Sequence, residues 1–257
     1  MSAWDRLSAE LDHWADAGRA AEFWWRDDDA VEATPALGRL LGLRRDLGVP
    51  LAIAAIPARI RADLADAIRS ESGIDVLQHG YAHANHRPAG DGKKTELGTD
   101  RGLWALAREI AEGRGRMDAV FGEGKWLDVM VPPWNRIDPP VVALLPGLGF
   151  HGLSTFDARP AAEPVPELVA VNTHVDVIDW PGTRAFAGDE ACIGAAVAHL
   201  AAKRTGAADA GEATGLLTHH LAHDEAAWDF IGRFVAATAA HRGARWISAR
   251  DAFPEPT

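Results

Sequence analysis

The chain predicts an α/β fold, a parallel sheet covered by helices and either open or closed as a barrel. Short apolar runs suited to strands alternate along it with longer segments of helical period. No internal repeat or long linker divides the 257 residues, so one domain, 1–257, accommodates them.

A helix over 3–17 comes first, followed by the strand 22–26 (EFWWR). The next helix, 35–47, carries an apolar face of Leu37, Leu40, Leu41 and Leu47, and Gly48 ends it. Strands follow at 51–56, 74–78, 127–131, 151–155, 168–178, 215–218 and 245–248. The intervening periodic segments, 59–70, 101–119, 139–146, 189–203 and 225–240, read as helices. Gly-, Pro- and Ala-rich stretches at 84–98, 157–167 and 204–214 read as exposed loops.

With 47% hydrophobic and 25% charged residues, the composition is that of an ordinary globular protein. A formal net charge of -11 argues against nucleic acid and against anionic membrane as partners, and favours a neutral or cationic one. The N-terminal residues are charged throughout, without the apolar core of a secretory signal, and no stretch approaches the roughly 18 apolar residues of a membrane span. Cys192 is the single cysteine, which leaves no intrachain disulfide and no Cys-rich metal knuckle. A cytoplasmic location is the expectation.

In α/β sheets reactive groups gather at the carboxyl ends of the strands. Here the first run ends in Asp27-Asp28-Asp29, the third in His79-Gly80-Tyr81-Ala82-His83, and the fourth in Pro132-Pro133-Trp134-Asn135-Arg136. The sixth ends in Asp179-Trp180 and the seventh in His219-His220. Three adjacent carboxylates behind a buried strand need a compensating cation, either Arg26 or a metal. His79 and His83, four residues apart, face one direction on a helical turn, and two imidazoles plus a carboxylate suit a divalent transition metal with open positions. His219, His220 or His223 can serve as a general acid near neutral pH. Of the ten tryptophans, Trp134 and Trp180 sit beside these polar ends, where an indole can stack on a sugar ring. With them, Tyr81, Pro133 and Arg136 are the candidate substrate contacts. The segment from Gly90 to Thr95 lacks phosphate-loop spacing, there is no GxSxG elbow, and Cys192 falls in a helix, so Ser and Cys nucleophiles have no support.

Read in order, these strand ends resemble the five motifs of the polysaccharide deacetylases, carbohydrate esterase family 4. Arg26-Asp27-Asp28-Asp29-Ala30 resembles TFDDG; His79 to His83 resembles H(S/T)xxH; and Val131-Pro132-Pro133-Trp134 resembles RxPY. Asp176 to Trp180 meets DxxDW, and Leu217-Thr218-His219 meets LxH. The resemblance implies a distorted, incomplete (β/α) barrel of seven or eight strands holding one divalent metal, zinc first, with cobalt or nickel as alternatives. Asp29, His79 and His83 would hold it, Asp28 would be the base, His219 the acid, and Asp179 would tune the acid or its surroundings. A slip of one residue would pass the base and ligand roles to Asp27 and Asp28. The implied reaction is removal of an N-acyl group, N-acetyl foremost, from a small amino sugar or oligosaccharide.

Three departures mark a divergent branch. Val131 stands where the family has an arginine that orients the base, a job left to Arg26 or Arg136. Gly80 replaces a hydroxyl residue that steadies the loop, and Ala30 replaces a glycine. The competing readings are a non-catalytic carbohydrate-binding relative and a ferrous oxygenase, which shares the two-His, one-carboxylate set.

Overall fold

In the computed structural model, residues 1–88, 90 and 92–254 are described. Of the 84–98 loop, Ala89 and Asp91 lie outside them.

Ser2 starts helix α1 (Ala3–Asp16) with a reciprocal capping box to Asp5. Strand β1 (Ala21–Ala30) follows, then α2 (Pro35–Leu47), opened by Thr34 and Pro35 and closed by Gly48 at φ 67. The chain continues through β2 (Leu51–Ala55), α3 (Ala62–Arg69), β3 (Ile74–His79), α4 (Leu103–Phe121), β4 (Val129–Val131) and a short α5 (Pro139–Val142). The remaining elements are β5 (Gly152–Leu153), β6 (Val169–Ala170), β7 (Val175–Asp176), α6 (Asp189–Thr205), β8 (Thr214–Thr218), α7 (Glu225–Ala239), β9 (Ala244–Trp246) and α8 (Ala249–Ala252).

The strands form one parallel sheet in the order β6-β5-β4-β3-β2-β1-β8-β7, with β9 added at the start of β1. The expected strand 168–178 is two short strands. Its first part pairs with β5 and its second with β8, so one extended segment borders both ends of the sheet. Between them Thr173 N–H donates to Thr155 O at 3.1 Å, while His174 N–H donates to Gly215 O at 2.7 Å. The sheet thus curls into a distorted, incomplete barrel.

Helices α1, α2, α4, α6 and α7 bury their apolar stripes on the outer face of the sheet, against Phe23, Trp25, Ile53 and Leu216. A smaller inner cluster of Trp24, Leu77, Val129, Val131 and Val171 fills the barrel, and Phe253, just after α8, plugs its amino-terminal end. Gly152 must lack a side chain there, because a Cβ would come within 2.8 Å of the Phe253 ring and 2.6 Å of Val129. The carboxyl ends of the strands remain open at the other end.

β1 does not stop at Arg26. It runs through all three aspartates, which meet separate partners: Asp28 pairs with Arg26 on the same strand, Asp27 with Thr218 and His220, and Asp29 lies beside His79 and His83.

Candidate active site

Side-chain alternation along β1 sorts its charges. Trp24 and Trp25 already face opposite ways, into the barrel and toward the helices. Arg26 and Asp28 follow Trp24 inward. Arg26 is fully buried, and its guanidinium grips Asp28 in a fork, Nε to Oδ1 at 2.9 Å and Nη2 to Oδ2 at 3.1 Å. The remaining donors reach Ser154 Oγ at 2.6 Å, the carbonyls of Ser154 and Thr155, and Asn135 Oδ1 at 2.7 Å. Asp27 follows Trp25 outward, where it accepts from Thr218 Oγ1 at 2.6 Å and His220 N–H at 3.0 Å and pairs with the His220 ring.

Between Asp27 and Ala30 the register with β2 shifts, and Asp29 takes a left-handed backbone at φ 75. Its Oδ1 then lies 3.2 Å from His79 Nε2 and 3.3 Å from His83 Nε2. His79 Nδ1 contacts Val131 O at 2.9 Å; a carbonyl only accepts, so Nδ1 carries the proton and Nε2 keeps its lone pair. His83 lies beyond the end of β3, not on a helical turn, and reaches Asp29 through its own left-handed backbone at φ 56. Its ring packs on Trp134, centroids 4.4 Å apart. Trp134, Asn135 and Arg184 also have positive φ, so five of the seven such non-glycine residues among those described line this one cleft. Strain gathered at one place is a mark of a working site.

Burial alone would raise the Asp29 carboxyl, but the neighbouring His79, with His219 and His83, holds it well below the usual carboxylate range. Burial would lower His79, and the Asp28 and Asp29 carboxylates override it and raise it. His83, under burial and the charge of His79, is lowered.

The cleft, about 420 Å³, is lined by Asp28, Asp29, His79, His83, Lys94, Trp134, Asn135, Arg136, Asp176, Trp180, Arg184 and His219. His219 packs edge-on against Trp180, centroids 4.8 Å apart, and its Nδ1 is buried without a partner. Among the residues expected here, Asp179, Tyr81 and Pro133 are not in the cleft lining. The Asp179 carboxylate accepts from Gly182 N–H at 3.1 Å and Thr183 N–H at 3.0 Å, tying a turn. Tyr81 donates its hydroxyl to Glu112 on α4. Pro133 is buried beneath Gly80. The carboxylate beside His219 is Asp176, held by the Ile178 N–H and by Trp180 Nε1 at 2.9 Å. Burial raises the Asp176 carboxyl, against the opposing pull of His219.

No family model matches the chain, and no curated protein sequence matches it. Solved structures do. A putative polysaccharide deacetylase from Mycobacterium smegmatis superposes with a TM-score of 0.61 at 18% identity, over 91% of this chain and 90% of that one. A chitin deacetylase from Colletotrichum lindemuthianum gives 0.56 at 14% identity, over 93% and 89%. A family 4 acetyl xylan esterase from Clostridium thermocellum, in complex with a cobalt ion, gives 0.52 at 15% identity, over 90% of each chain.

This is the polysaccharide deacetylase fold.

On that fold the three departures find physical explanations. Arg26 reaches Asp28 from two residues earlier on the same strand, where Val131 offers no cation. Arg136 instead donates to the Lys94 carbonyl at 2.9 Å. Gly80 sits at φ 54, and a Cβ there would fall 2.2 Å from Glu96 Oε2 and 2.5 Å from Pro133 Cδ. Glu96, itself buried, does the steadying that a hydroxyl at 80 would have done, accepting from the amides of Tyr81 at 3.0 Å, Ala82 at 2.8 Å and Ala84 at 3.3 Å. Ala30 is tolerated because the left-handed residue is Asp29. Sequence reasoning missed Glu96, Ser154 and Asn135; the vacant hydroxyl at position 80 was the one signal that another acceptor was required.

A second buried cluster, His174, His199 and Glu212, lies near the amino-terminal ends of β7 and β8. His174 Nδ1 accepts the Gly215 N–H at 3.0 Å, so in the neutral ring the proton sits on Nε2, the nitrogen facing Glu212 at 3.5 Å. That nitrogen has no lone pair for a metal. Glu212 also accepts the backbone N–H of Asn172 at 2.9 Å and of Arg159 at 3.0 Å, and the cluster ties the 157–174 segment to the sheet.

Proposed function

We propose that the chain is a divergent, metal-dependent deacetylase that hydrolyses the N-acyl group, N-acetyl foremost, of an amino sugar or sugar-containing substrate. One observation carries the reading: a carboxylate clamped by a buried arginine lies in the same cleft as an Asp-His-His set with converging lone pairs.

The three residues fit a divalent ion. Asp29 Oδ1 is buried and has no hydrogen-bond partner, the ligand atoms lie within 4.8 Å of one another, and the His79 tautomer presents Nε2. Zinc suits this donor set, with cobalt or nickel as alternatives. When bound, such an ion supplies Lewis acidity toward an amide carbonyl and toward water.

Asp28 takes the proton of the attacking water. Arg26 occupies one lone pair on each of its oxygens and fixes the plane of the carboxylate, leaving the others for water. His219 delivers a proton to the departing nitrogen, and Asp176 balances the charge of the imidazolium. Trp134 and Trp180 give flat walls for a sugar ring. Arg26 also supplies the base-orienting cation whose loss would have favoured a non-catalytic relative.

The test is release of acetate or formate from a panel of small N-acyl sugars by protein loaded with zinc, cobalt or nickel. Asp28→Asn and His219→Gln should each lower kcat by about 10²–10⁴. Loaded protein inactive across the panel, together with unchanged metal content in His83→Ala, would sink the proposal.

A further inference from the structure

The chain as a whole is acidic, at -11, yet cations ring its cleft. Lys94, Arg136 and Arg184 line the catalytic cavity, whose three carboxylates are engaged elsewhere, Asp28 by Arg26, Asp29 beside His79 and His83, and Asp176 by the Ile178 N–H and Trp180 Nε1. A second cavity of about 480 Å³ adjoins it, sharing Asn135 and Arg136, and brings Arg87 and Lys93. Lys93, Lys94, Arg136 and Arg184 have no carboxylate partner among the described residues. Arg87 alone is paired, with Asp100 at 3.4 Å. The one carboxylate in the second cavity, Asp138, is engaged by the Thr99 N–H and hydroxyl at 2.8 Å each. Arg136 is only partly exposed, and its burial lowers the guanidinium from its ordinary value. Elsewhere on this protein arginines are commonly matched to carboxylates, as Arg39 is to Glu225 and Arg233 to Asp189. Unmatched cations gathered along two joined cavities call for an anion from outside.

We propose that the substrate is an anionic N-acyl sugar, whose carboxylate or phosphate is seated by Arg136 with Lys94 and Arg184, in the cleft where Asp28 and the Asp-His-His set meet the amide. The inference rests on the deacetylase reading for the position of the amide, but the charge recognition stands apart from turnover. It also replaces the expectation of a neutral or cationic partner drawn from net charge: that charge belongs to the whole surface, whereas Lys94, Arg136 and Arg184 stand at the cleft and offset its own Asp28, Asp29 and Asp176.

Binding to full-length, zinc-loaded Asp28→Asn protein, followed by calorimetry, tests this with three probes: N-acetylglucosamine, its 6-phosphate and N-acetylmuramic acid. At least one anionic sugar should bind about tenfold tighter than the neutral one, the scale of one hydrogen bond to a charged group. Which of the two does so identifies phosphate or carboxylate as the group. The preference should shrink as salt rises and in Arg136→Gln. Because Arg136 also holds the Lys94 carbonyl, the exposed Arg184→Gln serves as a second variant, with the same expected direction. Equal affinity for all three sugars overturns the inference, as does a preference that neither salt nor both variants reduce. An anionic sugar bound selectively but never deacylated by the parent protein removes the deacetylase reading and leaves the charge recognition standing. Turnover confined to the neutral sugar does the reverse.

Discussion

Arg26→Met puts the centre of the site under the hardest test. The guanidinium is fully buried and engages Asp28 twice, Ser154 twice, Thr155 and Asn135. Methionine fills much of the same space, so the lost volume is small and the cost is electrostatic. Removing one member of a buried pair leaves the other charge uncompensated, at about 3–5 kcal/mol. The abandoned acceptors on Ser154, Thr155 and Asn135 bring the total to about 5 kcal/mol, since some relax toward one another or toward water. For a chain of this size that is a fall in Tm of roughly 10–20 °C. Urea unfolding followed by tryptophan fluorescence measures it, and a double-mutant cycle with Asp28→Asn isolates the pair. Asp28→Asn should restore part of the loss in the Arg26→Met background, with a coupling of about 2–3 kcal/mol. A loss below about 1 kcal/mol, or a coupling below about 0.5 kcal/mol, would refute the clamp.

Three further predictions address the metal, the loop and acid stability. His79→Ala and His83→Ala should each lose bound zinc by elemental analysis, and chelation should lower the Tm of the parent alone; saturation at 100 times Kd is worth about 2.7 kcal/mol. Gly80→Ser, which restores the residue type of the second motif, should destabilise by about 2–3 kcal/mol, because its Cβ meets Glu96 and Pro133 on a left-handed backbone. A Gly80→Ser protein as stable as the parent would show that Glu96 does not occupy that space. Burial pulls the His223 imidazole down to about 4. Its Nε2 accepts the His219 N–H at 3.0 Å, which only the unprotonated ring can do. The folded state therefore prefers neutral His223, and this stability is complete above the unfolded pKa near 6.5 and lost as pH falls toward 4. His220 has the opposite sign: Asp27 raises it despite burial, so its contribution is present at low pH and lost as pH rises through its folded pKa. His223→Asn should flatten the loss of stability between about pH 6.5 and 4, and an unchanged slope would discount His223 as its source.

Most of the fold was written in apolar periodicity, and most of the cleft in the residues ending each apolar run. What escaped depended on tertiary partners. Asp176 and Asp179 both belong to one short motif, and nothing in the sequence says which faces the cleft. The structure separates them because Trp180 folds back onto Asp176, while Asp179 ties the turn that follows. Glu96 sits in a polar, Gly-rich loop without period, so its burial under three backbone amides has no local signature. The segment 168–178 looked like one strand because its composition is uniform, but it serves two partners at opposite ends of the sheet.

The aspartate run shows how one strand can make three sites from one repeated residue. The period of two sends Asp28 inward and Asp27 outward, to Arg26 and to His220 respectively. Strict alternation would then send Asp29 outward beside Asp27, away from the histidines. The register shift and the left-handed turn at Asp29 prevent that and aim its carboxylate at His79 and His83. Neighbouring like charges are thereby separated, each facing a different cation or imidazole set, and the mutual repulsion of adjacent carboxylates is met three times over. The pairing of Asp28 with Arg26 thus follows from alternation along the strand, and the approach of Asp29 to the histidines from the bulge between Asp27 and Ala30. This separation supports the proposed roles of Asp28 as base and Asp29 as ligand, while Asp27 is the partner of Thr218 and His220.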